Sequence, residues 1–344
     1  MPDRTAVRIT GLMLHPAPDI VQIKHEVKTA MKFHRSYRHT IMLLISLLSL
    51  CAVLLAGMSA AAQGPVGNAF PPSEGTAWSE PQDLGDGQIQ TFVTLDESGA
   101  LNLVGVSFTE AALTGLPETP SDGHWDVKDA DGQVVIPCCG HEVVLEFPEE
   151  ASTTPFKHFV MNWNPMGHTP AHVYDVPHFD LHFYTISNED RMAIPAATGD
   201  TMCMVPNPPD VGGEHPATVS CETFEEAMMP LPDDQMPPGY ISAGAVEPGM
   251  GNHLINTQAP ELAGEPFTHT WIYGAYAGRM TFYEPMIANA FLEERHEEVC
   301  AEIAMPEAMS EPGYYPSQYC IRYLAGDADG EGTYVVSLES FVEF

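Results

Sequence analysis

Positive charge is scarce in this chain: 13 Lys and Arg stand against 47 Asp and Glu, for a formal net charge of −34 at neutral pH. So acidic a surface repels nucleic acid and anionic lipid, which excludes nucleic-acid binding as a function class. Past residue 41 the basic side chains dwindle to Lys128, Lys157, Arg191, Arg279, Arg295 and Arg322. Solubility in saline surroundings is the simplest account of that surface. Several fingerprints are missing as well. No G-x-S-x-G, P-loop or dinucleotide glycine pattern occurs, so esterase, NTPase and hydride-transfer chemistry have no support. Internal repeats are lacking. Strong acidity sometimes marks disorder, but here 44% of residues are hydrophobic and aromatics are spread along the chain, which predicts a folded core.

The longest apolar run is Ile41 to Met58, preceded by Lys32, His34, Arg35 and Arg38 and followed by Ser59-Ala60-Ala61-Ala62-Gln63. A basic start, an apolar middle and a small-residue A-x-A end make a secretory signal peptide, with cleavage expected between Ala62 and Gln63. The thirty residues before Met31 read as an extension from an early start codon. An uncleaved anchor is the alternative, since the run approaches bilayer-spanning length. Cleavage predicts an exported protein, periplasmic, extracellular or on the cell surface, with no membrane segment left. Residues 1–62 are thus an extension and signal peptide, 63–84 a flexible approach segment, and 85–344 a single β-rich domain.

Six cysteines follow the cleavage point, and an even number in an exported chain suggests disulfides. Cys203 with Cys221 and Cys300 with Cys320 are the expected local pairs. Vicinal Cys138 and Cys139 are expected to have separate partners or to stay free; a soft-metal role is the weaker reading, since no second Cys pair lies nearby.

Frequent Pro and Gly argue for short strands joined by turns. Strands are predicted over Gln88–Leu95, Leu101–Phe108, Glu142–Phe147, Lys157–Asn162, His178–Ile186, Thr268–Tyr276, Arg279–Tyr283 and Tyr334–Phe341. Ala277-Gly278 between two of them is hairpin-turn chemistry. Short helices are predicted over Thr109–Thr114 and Pro285–Val299, and a long excursion over Pro195–Gln235. The expected fold class is mainly β (α+β): an antiparallel β-sandwich or barrel with a few short helices.

The stretch Pro177–Tyr184, PHFDLHFY, carries the chemistry. On a strand it puts His178, Asp180 and His182 on one face and Phe179, Leu181 and Phe183 on the other. Imidazole and carboxylate suit zinc, iron and related divalent ions. A solvated polar face is the plain alternative. Residues four apart on a strand lie about 13 Å apart, so His178 and His182 converge on one ion with difficulty. The expected ligand set is one of them with Asp180 or a residue from elsewhere. His253, set among glycines in PGMGNH, is the best remote ligand. Glu284 is the candidate base or fourth ligand, and His168 an orienting partner. His172 and His269 are further histidines nearby. Asp327 to Gly332 has the look of a calcium loop but reads better as a solvated turn.

The segments NWNPMGHTPAHVYDVPHFDLHFYTI, MPPGYI, PGMGNHLIN with PEL, and PFTHTWIYGAYAGRMTFYEPMI resemble a family of exported bacterial and archaeal proteins of unassigned function. One member belongs to a Thermus regulon under an extracytoplasmic-function sigma factor. The resemblance spans Phe156 to Leu292 and implies a β-rich secreted fold able to self-associate as a homo-oligomer. His168, His178, Asp180, His182, His253 and Glu284 fall on its pattern. The cysteines, the acidity and the Ala-Asn pair after EPMI depart from it, and the resemblance supplies no reaction.

Three functions are consistent with these residues. The first is a secreted protein whose His/Asp/Glu cluster binds a divalent ion, zinc before others, and activates water for hydrolysis or lyase chemistry on a small molecule. The second is a non-catalytic envelope or stress-response binding module. The third is a cupin-like iron oxygenase, which needs two His and one carboxylate around an open site.

Overall fold

Alternating apolar and polar residues bounded by turns build two stacked antiparallel sheets. The computed structural model describes residues 70–206, 213–326 and 330–344. The leader and Asp327–Asp329 of the Asp327–Gly332 motif lie outside the described residues.

The strands in chain order are β1 (Thr76–Trp78), β2 (Gln82–Leu84), β3 (Gly87–Leu95), β4 (Leu101–Thr109), β5 (Val127–Lys128) and β6 (Val134–Ile136). Then come β7 (His141–Glu146), β8 (His158–Asn164), β9 (His178–Tyr184), β10 (Met202–Pro206), β11 (Glu214–Ser220) and β12 (Tyr240–Glu247). The last are β13 (Gly251–Asn256), β14 (His269–Tyr276), β15 (Arg279–Ala288), β16 (Val299–Glu302), β17 (Tyr314–Leu324) and β18 (Thr333–Glu343). One 7-stranded sheet runs β1-β3-β4-β18-β17-β16, with β2 also on β3. The other 7-stranded sheet runs β12-β13-β14-β15-β9-β8-β7. Neither order closes on itself, so of the two expected architectures the sandwich-like one is present and the barrel is not.

The two sheets pack through aromatic side chains that alternate inward. Phe159, Trp163, Phe179, Phe183, Trp271, Tyr273 and Tyr283 come from the second sheet and meet Phe108, Tyr315, Tyr319 and Tyr334 of the first in one continuous core. Phe179 lies 6.2 Å from Phe108 and 4.6 Å from Trp163, between ring centroids. Trp271 approaches Tyr319 at 5.1 Å.

All the predicted strands form, but the reading missed several others. The approach segment, expected to be flexible, contributes β1 and β2 from Thr76 onward, both paired with β3. Within the Pro195–Gln235 excursion lie β10, β11 and a helix, α2 (Cys221–Ala227), whose Ser220 side chain accepts from the Thr223 amide. Helix α1 (Asn188–Met192) is capped alike by Ser187. Ala277 and Gly278 have φ of 50° and 72°, the left-handed pair that a two-residue hairpin turn requires.

The predicted helix over Pro285–Val299 is a correction. Strand β15 continues to Ala288, and only α3 (Asn289–Glu293) is helical. Met286 and Ile287 point to opposite faces, against Asp180 and Phe179 of β9. Proline is tolerated in this inner strand because the paired positions pass from Tyr283–Phe183 straight to Met286–Asp180, leaving Pro285 outside the β9 ladder. Burial of both faces of β15 outweighs the helical stripe.

All three cysteine pairs are at disulfide distance: Cys203–Cys221, Cys300–Cys320 and Cys138–Cys139. The first two are the expected ones, and Cys300 faces Cys320 across the β16–β17 ladder. The third corrects the expectation of separate partners. Among the described residues no helix is long and apolar enough to cross a membrane.

Replacing Phe179 by Ala removes a fully buried ring between Trp163 and Phe108. The expected cost is about 3–5 kcal/mol, read as a lower urea midpoint at unchanged slope.

Candidate metal centre

Strand β9 gives one face to the core and the other to a second, polar interior. Opposite its ladder positions stand Asn162 and Asn164 of β8, paired with Asp180 and His178. This outer face is covered, not solvated. Arg191 lies over Trp125 and Tyr184 at 5.5 and 5.4 Å and forms an ion pair with Glu142. The Tyr184 hydroxyl donates to the Gly249 carbonyl at 2.8 Å. His178 and His182 are accordingly 0% exposed, Asp180 5% and Glu284 1%. The plain alternative of a solvated polar face is ruled out.

The six predicted residues gather into two groups of three. His182, His253 and Glu284 form the inner group, and His168, His178 and Asp180 the outer one; within each, the ligand atoms lie within 4.8 Å of one another. His178 and His182 thus fall in different groups, as their spacing along the strand demands. In the inner group, Nε2 of His182 is 3.5 Å from Glu284 Oε1, and Nε2 of His253 is 3.9 Å from Oε2. Glu284 sits between two imidazoles brought from β9 and β13. In the outer group, Nε2 of His178 lies 3.2 Å from Asp180 Oδ1, and Nε2 of His168 lies 3.5 Å from Oδ2. Asn164 donates to that same Oδ2 at 2.8 Å. The side chain of His168, carried by the loop after β8, is 41% exposed, so this group reaches the surface.

Three imidazoles are oriented through the opposite ring nitrogen. Nδ1 of His168, His178 and His253 lies 2.8, 2.7 and 2.9 Å from the carbonyls of Thr169, Val176 and Ala245. Since a carbonyl only accepts, Nδ1 of each carries a proton, which leaves Nε2 as the ring atom turned toward the carboxylates. The Nε2 atoms of all three lie within 4 Å of a carboxylate oxygen. His178 Nε2, Asp180 Oδ1, His182 Nε2 and Glu284 Oε2 are buried without a hydrogen bond. Buried polar atoms left so are costly, and this convergence fits a cation between them.

Electrostatics separate the groups. Burial pushes His182 down to about 3 and His253 down to about 4, so both are neutral at physiological pH. Glu284 is driven well above the carboxylate range by burial and then by the charge of Asp180. Asp180, despite its burial, is held well below that range by His178 and His168. His168 is raised because contact with Asp180 outweighs its desolvation.

Other contributors escaped the sequence reading. The Phe282 ring packs against both imidazoles, 4.8 Å from His182 and 5.3 Å from His253. It occupies space that a side chain on Gly274 would need, since a Cβ there would stand 2.0 Å from the ring. A glycine beside an aromatic on paired strands was the available signal. His172 is exposed beside Asp175, and His269 is within 2.7 Å of the Tyr319 hydroxyl; neither joins a group.

A family model described as "TTHB210-like: Hypothetical protein TTHB210" matches residues 96–163. The match supports kinship with an uncharacterised family and is consistent with the Thermus connection. It ends where the segments carrying the resemblance begin, sharing only the stretch around β8. Nothing among curated proteins or solved structures matches.

Gly274→Ala should force Phe282 off its place against the two imidazoles. The expected outcome is a loss of about 1–3 kcal/mol in chemical denaturation. An unchanged midpoint would show that the ring has room to yield.

Proposed function

We propose that this chain is an exported protein that holds divalent metal, zinc before others, in two neighbouring sites along β9. The observation that carries the reading is the set of three imidazoles whose Nδ1 atoms are engaged by backbone carbonyls, with Nε2 aimed at buried carboxylates. His182, His253 and Glu284 would hold one ion, and His168, His178 and Asp180 the other. Each set is two His and one carboxylate, which suits a catalytic-type zinc with a further position for water. Glu284, considered from sequence as a general base, is better read as a ligand, because both its oxygens face imidazole nitrogens.

Zinc supplies Lewis acidity and lowers the pKa of bound water. The half-exposed His168 makes the outer group the one where a small molecule would meet such water, for hydrolysis or hydration. Non-catalytic holding of metal is the second reading, favoured for the inner ion by the full burial of His182 and Glu284. The same donor set also serves iron, so metal identity separates both readings from an oxygenase. The paired cysteines support export to an oxidising compartment.

Metal analysis of the purified chain, reconstituted with zinc and freed of excess, should find about two equivalents. Paired His182→Ala and Glu284→Gln substitutions should remove one equivalent, and His178→Ala with Asp180→Asn the other. Trace metal alone in the unaltered protein would sink the reading.

Zinc uptake should also release protons. Burial raises the Glu284 carboxyl well above its ordinary range, so ligation competes with its proton and affinity falls as pH falls. Calorimetry in buffers of differing ionisation enthalpy reads this directly, and buffer-independent heats would contradict it.

A further inference from the structure

A third cluster lies outside both groups. Cys138 Sγ and Cys139 Sγ stand 3.3 and 3.7 Å from one oxygen of Glu247, Oε2, and the Thr218 hydroxyl donates to that oxygen at 2.7 Å. All three ligand atoms fall within 4.8 Å of one another. Disulfide sulfur has no hydrogen to donate, so a carboxylate oxygen against two such sulfurs gains nothing from either. Two thiols, or a cation shared by two thiolates and the carboxylate, would satisfy the same contacts.

The position of the pair in the chain points the same way. A disulfide stabilises mainly by closing a loop, and the stabilisation grows with loop length. Cys203–Cys221 and Cys300–Cys320 close separations of 18 and 20 residues, whereas Cys138–Cys139 closes a separation of 1. The vicinal bridge therefore contributes little to the fold, and its presence calls for another explanation. Its surroundings are built: Asn162 donates to the Cys139 carbonyl at 2.8 Å, and a Cβ on Gly140 would stand 2.4 Å from the Trp163 carbonyl oxygen. The segment is thereby fixed against β8, with both sulfurs turned to Glu247.

We propose that Cys138, Cys139 and Glu247 form a redox-gated site for a soft, thiophilic cation. In the oxidised state the pair is a disulfide and takes no ion. A dithiol reductant attacks one sulfur and leaves as its own disulfide; two electrons and two protons pass to the pair, which becomes two thiols. Uptake of a divalent soft cation then expels those two protons and joins two thiolates and one carboxylate around it. Thiolate selects such ions over the harder ones suited to imidazole and carboxylate, so this site differs in kind from the pair along β9.

Cadmium alone is the probe, added to the full chain before and after reduction and removal of excess dithiol. Thiolate–cadmium coordination gives an ultraviolet charge-transfer band that imidazole and carboxylate ligands lack, so the readout is independent of the sites along β9. The band is expected only after reduction, at about one equivalent. It should vanish in Cys138→Ser/Cys139→Ser and persist in Cys203→Ser/Cys221→Ser and in Cys300→Ser/Cys320→Ser. Glu247→Gln should weaken cadmium affinity at least tenfold while keeping the band. Absence of a band in the reduced protein, or its survival in the Cys138/Cys139 double variant, overturns the proposal.

Discussion

Burying His178, Asp180, His182 and Glu284 on the covered face of a sheet carries a cost that hydrogen bonding within the protein leaves partly unmet. Every other feature of the region is arranged around that cost. Backbone carbonyls engage the Nδ1 atoms of His168, His178 and His253, Asn164 binds Asp180, and Phe282 packs against His182 and His253. Convergence of carboxylates and imidazoles at that cost is what makes the two groups candidate cation sites.

The two carboxylates illustrate how environment divides like groups. Asp180 is held low by its contacts with His178 and His168, whereas Glu284 is pushed upward by burial and by Asp180 itself. Two cations side by side would remove that antagonism, since each carboxylate would then face positive charge. The vicinal cysteines sit against the same strand neighbours: Cys139 is tied to Asn162, whose ladder partner is Asp180. Three donor sets of two chemical kinds therefore lie along one covered face.

Much of the fold was legible because β-strands write their orientation in a period of two. The alternation in PHFDLHFY placed Phe179 in the core and His178 on the opposite face, and the core aromatics followed the same rule. Pro285 misled, because its scarcity in inner strands is a statement about ladder donors, and this ladder passes it by. Strands β12 and β13 escaped notice because small or polar residues break up their few β-branched side chains, Ile241, Val246 and Ile255. The Cys138–Cys139 pairing was equally hidden, since spacing alone does not say which thiols meet.

Local chemistry along the chain was enough to determine the acidity, the β-rich class, the ligand types and the difficulty of His178 and His182 sharing an ion. Tertiary structure alone decided the partition. His253 and Glu284 come to His182, and His168 to Asp180, because β9, β15, β14 and β13 lie in that order in one sheet while the loop after β8 folds back over it. Side-chain convergence across strands depends on ladder order and register, which link residues about a hundred positions apart, and no local pattern encodes such distances.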